Sequence, residues 1–212
     1  ESIIRYALSF IEMNQKRILE IVIALCAILA TCLVQCLAQD AKHIALERDA
    51  YQASFRPDLG IPEWVKWCVS RDYFGKTKRV AGDHFRTDPL TPKPRIKSSM
   101  YAKTGYQRGH MCPAADRTAS RALMKQTFYM SNICPMTPAL NTGAWKKTEA
   151  LERKLASGTN TIRVTACPLF FPQDTAWIGN GRVAVPHAFF KVITIDGDPF
   201  FYKLFIIENK WH

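Results

Sequence analysis

The chain reads as an α+β domain. Residues 161–207 hold four β-branched and aromatic runs separated by Gly-Asn-Gly and Asp-Gly-Asp turns. Ahead of them, residues 141–156 carry an apolar stripe of helical period, and a further strand-like run stands earlier still, at Glu63–Val69. Strands, a central helix and more strands place helix and sheet in one α+β unit.

In chain order, residues 40–62 are polar and mixed, with Tyr51, Phe55 and Pro57, and read as an arm or first strand. Glu63–Val69 is rich in β-formers. Residues 72–107 include Gly75, Gly82, Pro89, Pro92, Pro94 and many basic residues, among them Lys76, Lys78, Arg79, Arg86 and Lys93. A loop of that length in a compact domain is often functional. A short helix is expected around Ser120–Thr127. A longer one is expected over Asn141–Ala156, with Asn141 as N-cap, Trp145, Ala150, Leu151 and Leu155 as its apolar stripe, and Ser157-Gly158 as its stop. Thr161–Ala166, Arg182–Val185, Phe189–Ile195 and Phe200–Ile207 are expected strands.

Residues 1–38 stand apart as an N-terminal leader. Ile21–Val34 is apolar except for Thr31, Lys16 and Arg17 precede it, and the small pair Cys36 and Ala38 stands at the −3 and −1 positions of a cut before Gln39. This is the pattern of a secretory signal peptide, with Met13 as its natural start. The alternative is a membrane anchor, since Ile18–Ala38 is long enough to span. The expected location is therefore exported: periplasmic, extracellular or cell-surface. Residues 39–212 form the second unit. Of the seven cysteines, Cys68, Cys112, Cys134 and Cys167 fall there. Small buried hydrophobes are their default reading, the three possible pairings stay open, and the absence of C-x-x-C spacing argues against structural zinc.

The net charge is +11. Arg5, Lys16 and Arg17 balance Glu1, Glu12 and Glu20 in the leader, so the whole excess belongs to residues 39–212. That balance favours a polyanionic partner, a nucleic acid or an anionic membrane surface.

One constellation suits metal-assisted attack on phosphate. Hydrolysis of a phosphodiester needs a base for water, stabilisation of added negative charge and help for the leaving oxygen. His110 is the natural general base, because imidazole titrates near neutral pH. Asn141 offers a neutral oxygen to a hard cation that keeps most of its waters. Glu149 lies eight residues on, about 800° around a regular helix and so within ~80° of the same side, where it can hold metal-bound water. Arg108 can contact a phosphate oxygen. Singly, each has a plainer reading: a structural His, a helix cap, an Arg153 partner for Glu149, a surface charge.

Three segments in order, Gly105-Tyr-Gln-Arg-Gly-His-Met-Cys-Pro-Ala-Ala-Asp116, Thr127-Phe-Tyr-Met-Ser-Asn-Ile-Cys-Pro-Met136 and Leu140-Asn-Thr-Gly-Ala-Trp-Lys-Lys-Thr-Glu149, closely resemble the sugar-non-specific DNA/RNA endonuclease family. The likeness runs over roughly residues 50–207. It implies the ββα-metal fold, a central antiparallel sheet flanked by helices, and a magnesium-dependent enzyme (with manganese as a substitute) that hydrolyses DNA and RNA with little sequence or sugar specificity. It implies a role for each matching position: His110 as general base, Asn141 as the metal ligand, Glu149 as the anchor of metal-bound water, Asn132 as an active-site asparagine, Arg108 as the motif arginine and Arg79 as a phosphate-binding arginine upstream. DNA and RNA are the implied partners, a homodimer is compatible, and no stable protein partner is implied. Gln107 stands where the family motif has Asp, and Cys167 where the family has Gly. The alternative reading that Gln107 opens is a catalytically impaired nucleic-acid-binding protein on the same fold.

Overall fold

A computed structural model describes residues 43–79, 84–158, 160–172 and 174–211. The leader assigned to residues 1–38, with its start at Met13, lies outside the described residues. Among the described residues no helix is long and apolar enough to cross a membrane.

The platform is a six-stranded antiparallel sheet. Its strands are β1 (Ile44–Glu47), β2 (Gln52–Arg56), β3 (Ile61–Val69), β6 (Ile162–Leu169), β9 (Ala188–Ile195) and β10 (Asp198–Glu208), adjacent in that order. The arm at 40–62 thus resolves into two paired strands, β1 and β2, with Ile44 opposite Phe55. Period-two alternation sets one face inward. Val65, Trp67 and Val69 of β3 pair with Ala166, Val164 and Ile162 of β6, and all six are buried. Between β2 and β3 the chain turns at Gly60, whose φ of +68° suits glycine, and a side chain there would meet the Arg182 carbonyl oxygen at 2.2 Å.

Among the described residues, four strands lie outside this sheet. β4 (Gln107–His110) and β5 (Ile133–Met136) form an antiparallel ribbon with His110 opposite Ile133 and Gln107 opposite Met136. A further small pair joins β7 (Trp177–Ile178) to β8 (Val183–Ala184), so the expected strand at 182–185 is shorter than its sequence suggested. Gly109 is needed in the ribbon, because a Cβ there would lie 2.3 Å from the buried Met136 sulfur.

Helix α1 (Arg121–Gln126) starts where expected, with the Ser120 hydroxyl accepting from the Leu123 N–H at 3.2 Å. The long helix differs from expectation at its start. Thr137 precedes it and its hydroxyl accepts from the Leu140 N–H, while Asn141 already donates its own N–H to the Thr137 carbonyl. Asn141 therefore lies inside the first turn and is not the cap. Leu140–Ala144 forms a wide turn kinked at Gly143, and α2 (Trp145–Leu155) continues from it. The buried face of α2 is Trp145, Thr148 and Glu152; Ala150 is exposed. That face is polar because it meets Lys191, which β9 aims inward among apolar neighbours.

Lys191 is fully buried. Its ammonium donates to Glu152 Oε1 at 2.6 Å and to the Thr148 hydroxyl at 3.0 Å, and lies 3.8 Å from the Trp145 ring centroid. Burial pushes the Glu152 carboxyl up, and Lys191 opposes that shift. Removing one partner of such a pair strands the other charge in the core. Lys191→Met alone is expected to cost about 3–5 kcal/mol in a denaturant titration. Adding Glu152→Leu is expected to recover most of the loss, and a double variant no more stable than the single would contradict this account.

Candidate active site

β4 carries His110 to a cleft of about 330 Å³. Thr77, Arg79, Thr118, Met124 and Glu149 line the same cleft, together with the Pro113–Ala115 turn. Aromatic rings hold the imidazole. Phe85 lies 5.1 Å from it between centroids, and Phe128 meets it edge-on at 5.0 Å. The strand beneath is fixed through its backbone, since the Trp145 indole N–H donates to the His110 carbonyl at 2.9 Å.

The imidazole is not poised near neutrality as the sequence suggested. Burial, with the Arg79 guanidinium adding to it, pushes its pKa down to about 3. It is the neutral base form at any ordinary pH. Its Nε2 is buried and has no hydrogen-bond partner among the described residues. A buried polar atom without a partner is costly, and the residue that carries it lines the cleft.

Glu149 projects from α2 to the same cleft. Burial pushes its carboxyl up to about 7, Lys191 opposing and Asp116 adding. It is not engaged by Arg153, which pairs instead with the buried Asp116 at 3.0 Å. Arg79 sits with its guanidinium 4.8 Å from the Phe128 ring centroid and reaches the cleft from the basic loop.

Three other expected residues lie away from the cleft wall. Asn132 is fully buried, and its side chain is used up as a brace. Oδ1 accepts from the Cys112 N–H, while Nδ2 donates to the Cys112 and Thr127 carbonyls, each at 2.9 Å. It fastens the chain just after His110. Arg108 donates from Nε and Nη2 to the Ser98 carbonyl at 3.1 and 2.6 Å, with the rings of Phe85 and Tyr101 each 5.7 Å away. In this arrangement it braces the Phe85 side of the imidazole, and Arg79 is the arginine at the cleft. Asn141 is half-buried in the wide turn, where its Nδ2 donates to Gln107 Oε1 at 2.7 Å.

The donor set fits a hard cation that keeps its waters. Among the described residues no three His, Cys, Asp or Glu side chains cluster to cage an ion. One amide oxygen, from Asn141, and one carboxylate, from Glu149, are the kind of sparse oxygen set magnesium takes. The wide turn winds less per residue than a regular helix. Sequence reasoning missed Thr77 and Thr118, since hydroxyl residues in loops carry no distinctive signal. It read Trp145 only as core, although the indole N–H ties α2 to β4.

Residues 31–210 match the DNA/RNA non-specific endonuclease family. Human mitochondrial endonuclease G is 36% identical over 159 residues, which cover 70% of this chain and 54% of that protein. Nuclease C1 of Cunninghamella echinulata var. echinulata is 33% identical over 179 residues, covering 78% and 71%. A nuclease of Nostoc sp. is 31% identical over 157 residues, covering 72% and 54%. The chain thus spans about half the length of two of these three relatives. Among solved structures, one of an EndoG/EndoGI complex superposes with a TM-score of 0.72 at 24% identity, covering 81% of this chain and 76% of that one. That likeness supports the ββα-metal fold, in which the β4–β5 ribbon and the helix after it form the site-bearing unit. The chain belongs to the DNA/RNA non-specific endonuclease family.

Proposed function

We propose that this protein is an exported, metal-dependent endonuclease that hydrolyses phosphodiester bonds in DNA and RNA. The observation that carries the reading is the unpartnered His110 Nε2 at a cleft shared with Arg79 and Glu149. A neutral imidazole nitrogen with no competing partner is ready to accept a proton from water. As the water attacks phosphorus, Nε2 takes its proton, the P–O bond to the leaving sugar oxygen breaks and that oxygen takes a proton from solvent, and the gathering negative charge of the phosphate stabilises the imidazolium that Arg79 alone would disfavour. Arg79 holds a phosphate oxygen by charge-assisted hydrogen bonds. Asn141 and Glu149 would hold magnesium, or manganese in its place, which supplies Lewis-acid stabilisation of the phosphate oxygens. Nothing in this set needs a base edge or a 2′-hydroxyl, so little sequence or sugar preference is expected. The basic loop of residues 76–97 supplies general affinity for the polyanion.

His110→Ala is expected to lower cleavage of plasmid DNA and of RNA by at least ~10²–10⁴-fold. Asn141→Ala and chelation by EDTA are expected to abolish it, and undiminished cleavage by His110→Ala would sink the mechanism. The acid limb of the rate profile should come from Glu149 and not from His110. The Glu149 carboxyl is neutral below about pH 7 and charged above it, while His110 stays neutral down to about pH 3. Metal affinity should therefore weaken as pH falls through about 7 in the wild type, and Glu149→Gln should remove that dependence. Calorimetric titration with Mn²⁺ at several pH values reads both. Export follows from the leader. N-terminal sequencing of the secreted protein should find a start at Gln39, whereas an intact leader in the membrane fraction would show an anchor instead.

A further inference from the structure

Two hydrogen bonds tie the ribbon to the helix that follows it. Trp145 Nε1 donates to the His110 carbonyl at 2.9 Å, and Asn141 Nδ2 donates to Gln107 Oε1 at 2.7 Å. The first seats the helix against the strand. The second acts on a single side chain and settles which of its two ends points where.

A primary amide has an acceptor end and a donor end of nearly the same shape. Rotation about the last side-chain bond exchanges them. A hard cation takes only the oxygen, so an asparagine ligand left to itself spends part of its time presenting the wrong end. An acceptor placed against Nδ2 removes that ambiguity and leaves Oδ1 for the cation. Gln107 is that acceptor. It stands three residues before His110 on the same strand, so the strand that carries the base also orients the ligand.

We propose that Gln107 is a positioning residue for metal binding: its neutral side-chain carbonyl holds the Asn141 amide with the oxygen toward a divalent cation. This rests on Asn141 being the metal ligand. It also gives the Gln107 departure from the motif a definite consequence. A carboxylate at this position would accept the same hydrogen bond and add a negative charge close to the cation. Gln107 keeps the orientation and omits the charge, which leaves Glu149 as the anionic group and makes divalent affinity weaker than an acidic residue would give.

Gln107→Glu and Gln107→Met separate these contributions. Glutamate matches glutamine in length and offers only acceptors. Methionine matches it in length and offers no comparable acceptor. Mn²⁺ binding to the full chain, followed by electron paramagnetic resonance of the free ion at pH about 8, is the readout, with circular dichroism to check that each variant is folded. Gln107→Met is expected to weaken Mn²⁺ binding about 10–100-fold, the usual cost of losing a partner that orients a ligand. Gln107→Glu is expected to bind at least as tightly as wild type. Loss of binding in Gln107→Glu equal to that in Gln107→Met would overturn the proposal, because it would mean that Gln107 donates to Asn141 Oδ1. Unchanged binding in Gln107→Met, with binding lost in Asn141→Ala, would overturn it while leaving Asn141 as the ligand. Unchanged binding in Asn141→Ala would overturn both the proposal and the metal reading on which it rests.

Discussion

The site depends on Trp145. Its indole is fully buried and meets three parts of the molecule at once. The N–H grips the His110 carbonyl of the ribbon, the ring lies 5.4 Å from Phe189 of the sheet, and its face receives the Lys191 ammonium. Other hydrogen bonds join these parts in pairs, Asn141 to Gln107 between helix and ribbon and Lys191 to Glu152 and Thr148 between sheet and helix, whereas Trp145 meets all three. An aromatic with one polar atom buries a large surface and still sets a direction. Asn132 completes the arrangement from the other side. Its amide satisfies the backbone just past His110, so the strand carrying the imidazole is held both under the residue and after it.

The same physical cause acts on the two titratable groups of the cleft, with opposite results. Burial disfavours charge, so it lowers the pKa of His110 and raises that of Glu149. Both groups are therefore driven toward neutrality before any ligand arrives, and Arg79 is the prominent charge at the cleft. On the proposed function, a phosphodiester would bring in the counter-charge that the imidazolium needs, and a divalent cation what the carboxylate needs. The two ligands would then supply opposite corrections to one dry environment.

Much of this was legible in the sequence because local chemistry and tertiary structure agree. Ser120 announces α1, and the β-branched tail announces β6, β9 and β10. The ribbon was not legible. Gln-Arg-Gly-His has no β-rich pattern, and Ile-Cys-Pro-Met contains a proline that ordinarily argues against an internal strand. Pro135 is tolerated because β5 has a neighbour on one side only, so its missing N–H breaks no second ladder. The helix was legible in extent but not in face. An apolar stripe through Ala150 is the natural reading, yet the buried positions include Thr148 and Glu152 because an inward lysine faces them. The residues around His110 were identified by resemblance, while its depressed basicity followed only from the neighbours that fold around it.

The Asn141–Gln107 contact joins two uncharged amides, and this separates two properties that an ion pair would merge. Mobile ions screen the attraction between the basic loop and a polyanion, since exposed charges are felt only across a Debye length of about 8 Å at physiological ionic strength. They act far less on a half-buried bond between neutral groups. On the proposed function, rising ionic strength would loosen the grip on a nucleic acid and leave the orientation of Asn141 as it was. The reach for a polyanion would be tuned by the surroundings, and the set of the site by the fold itself.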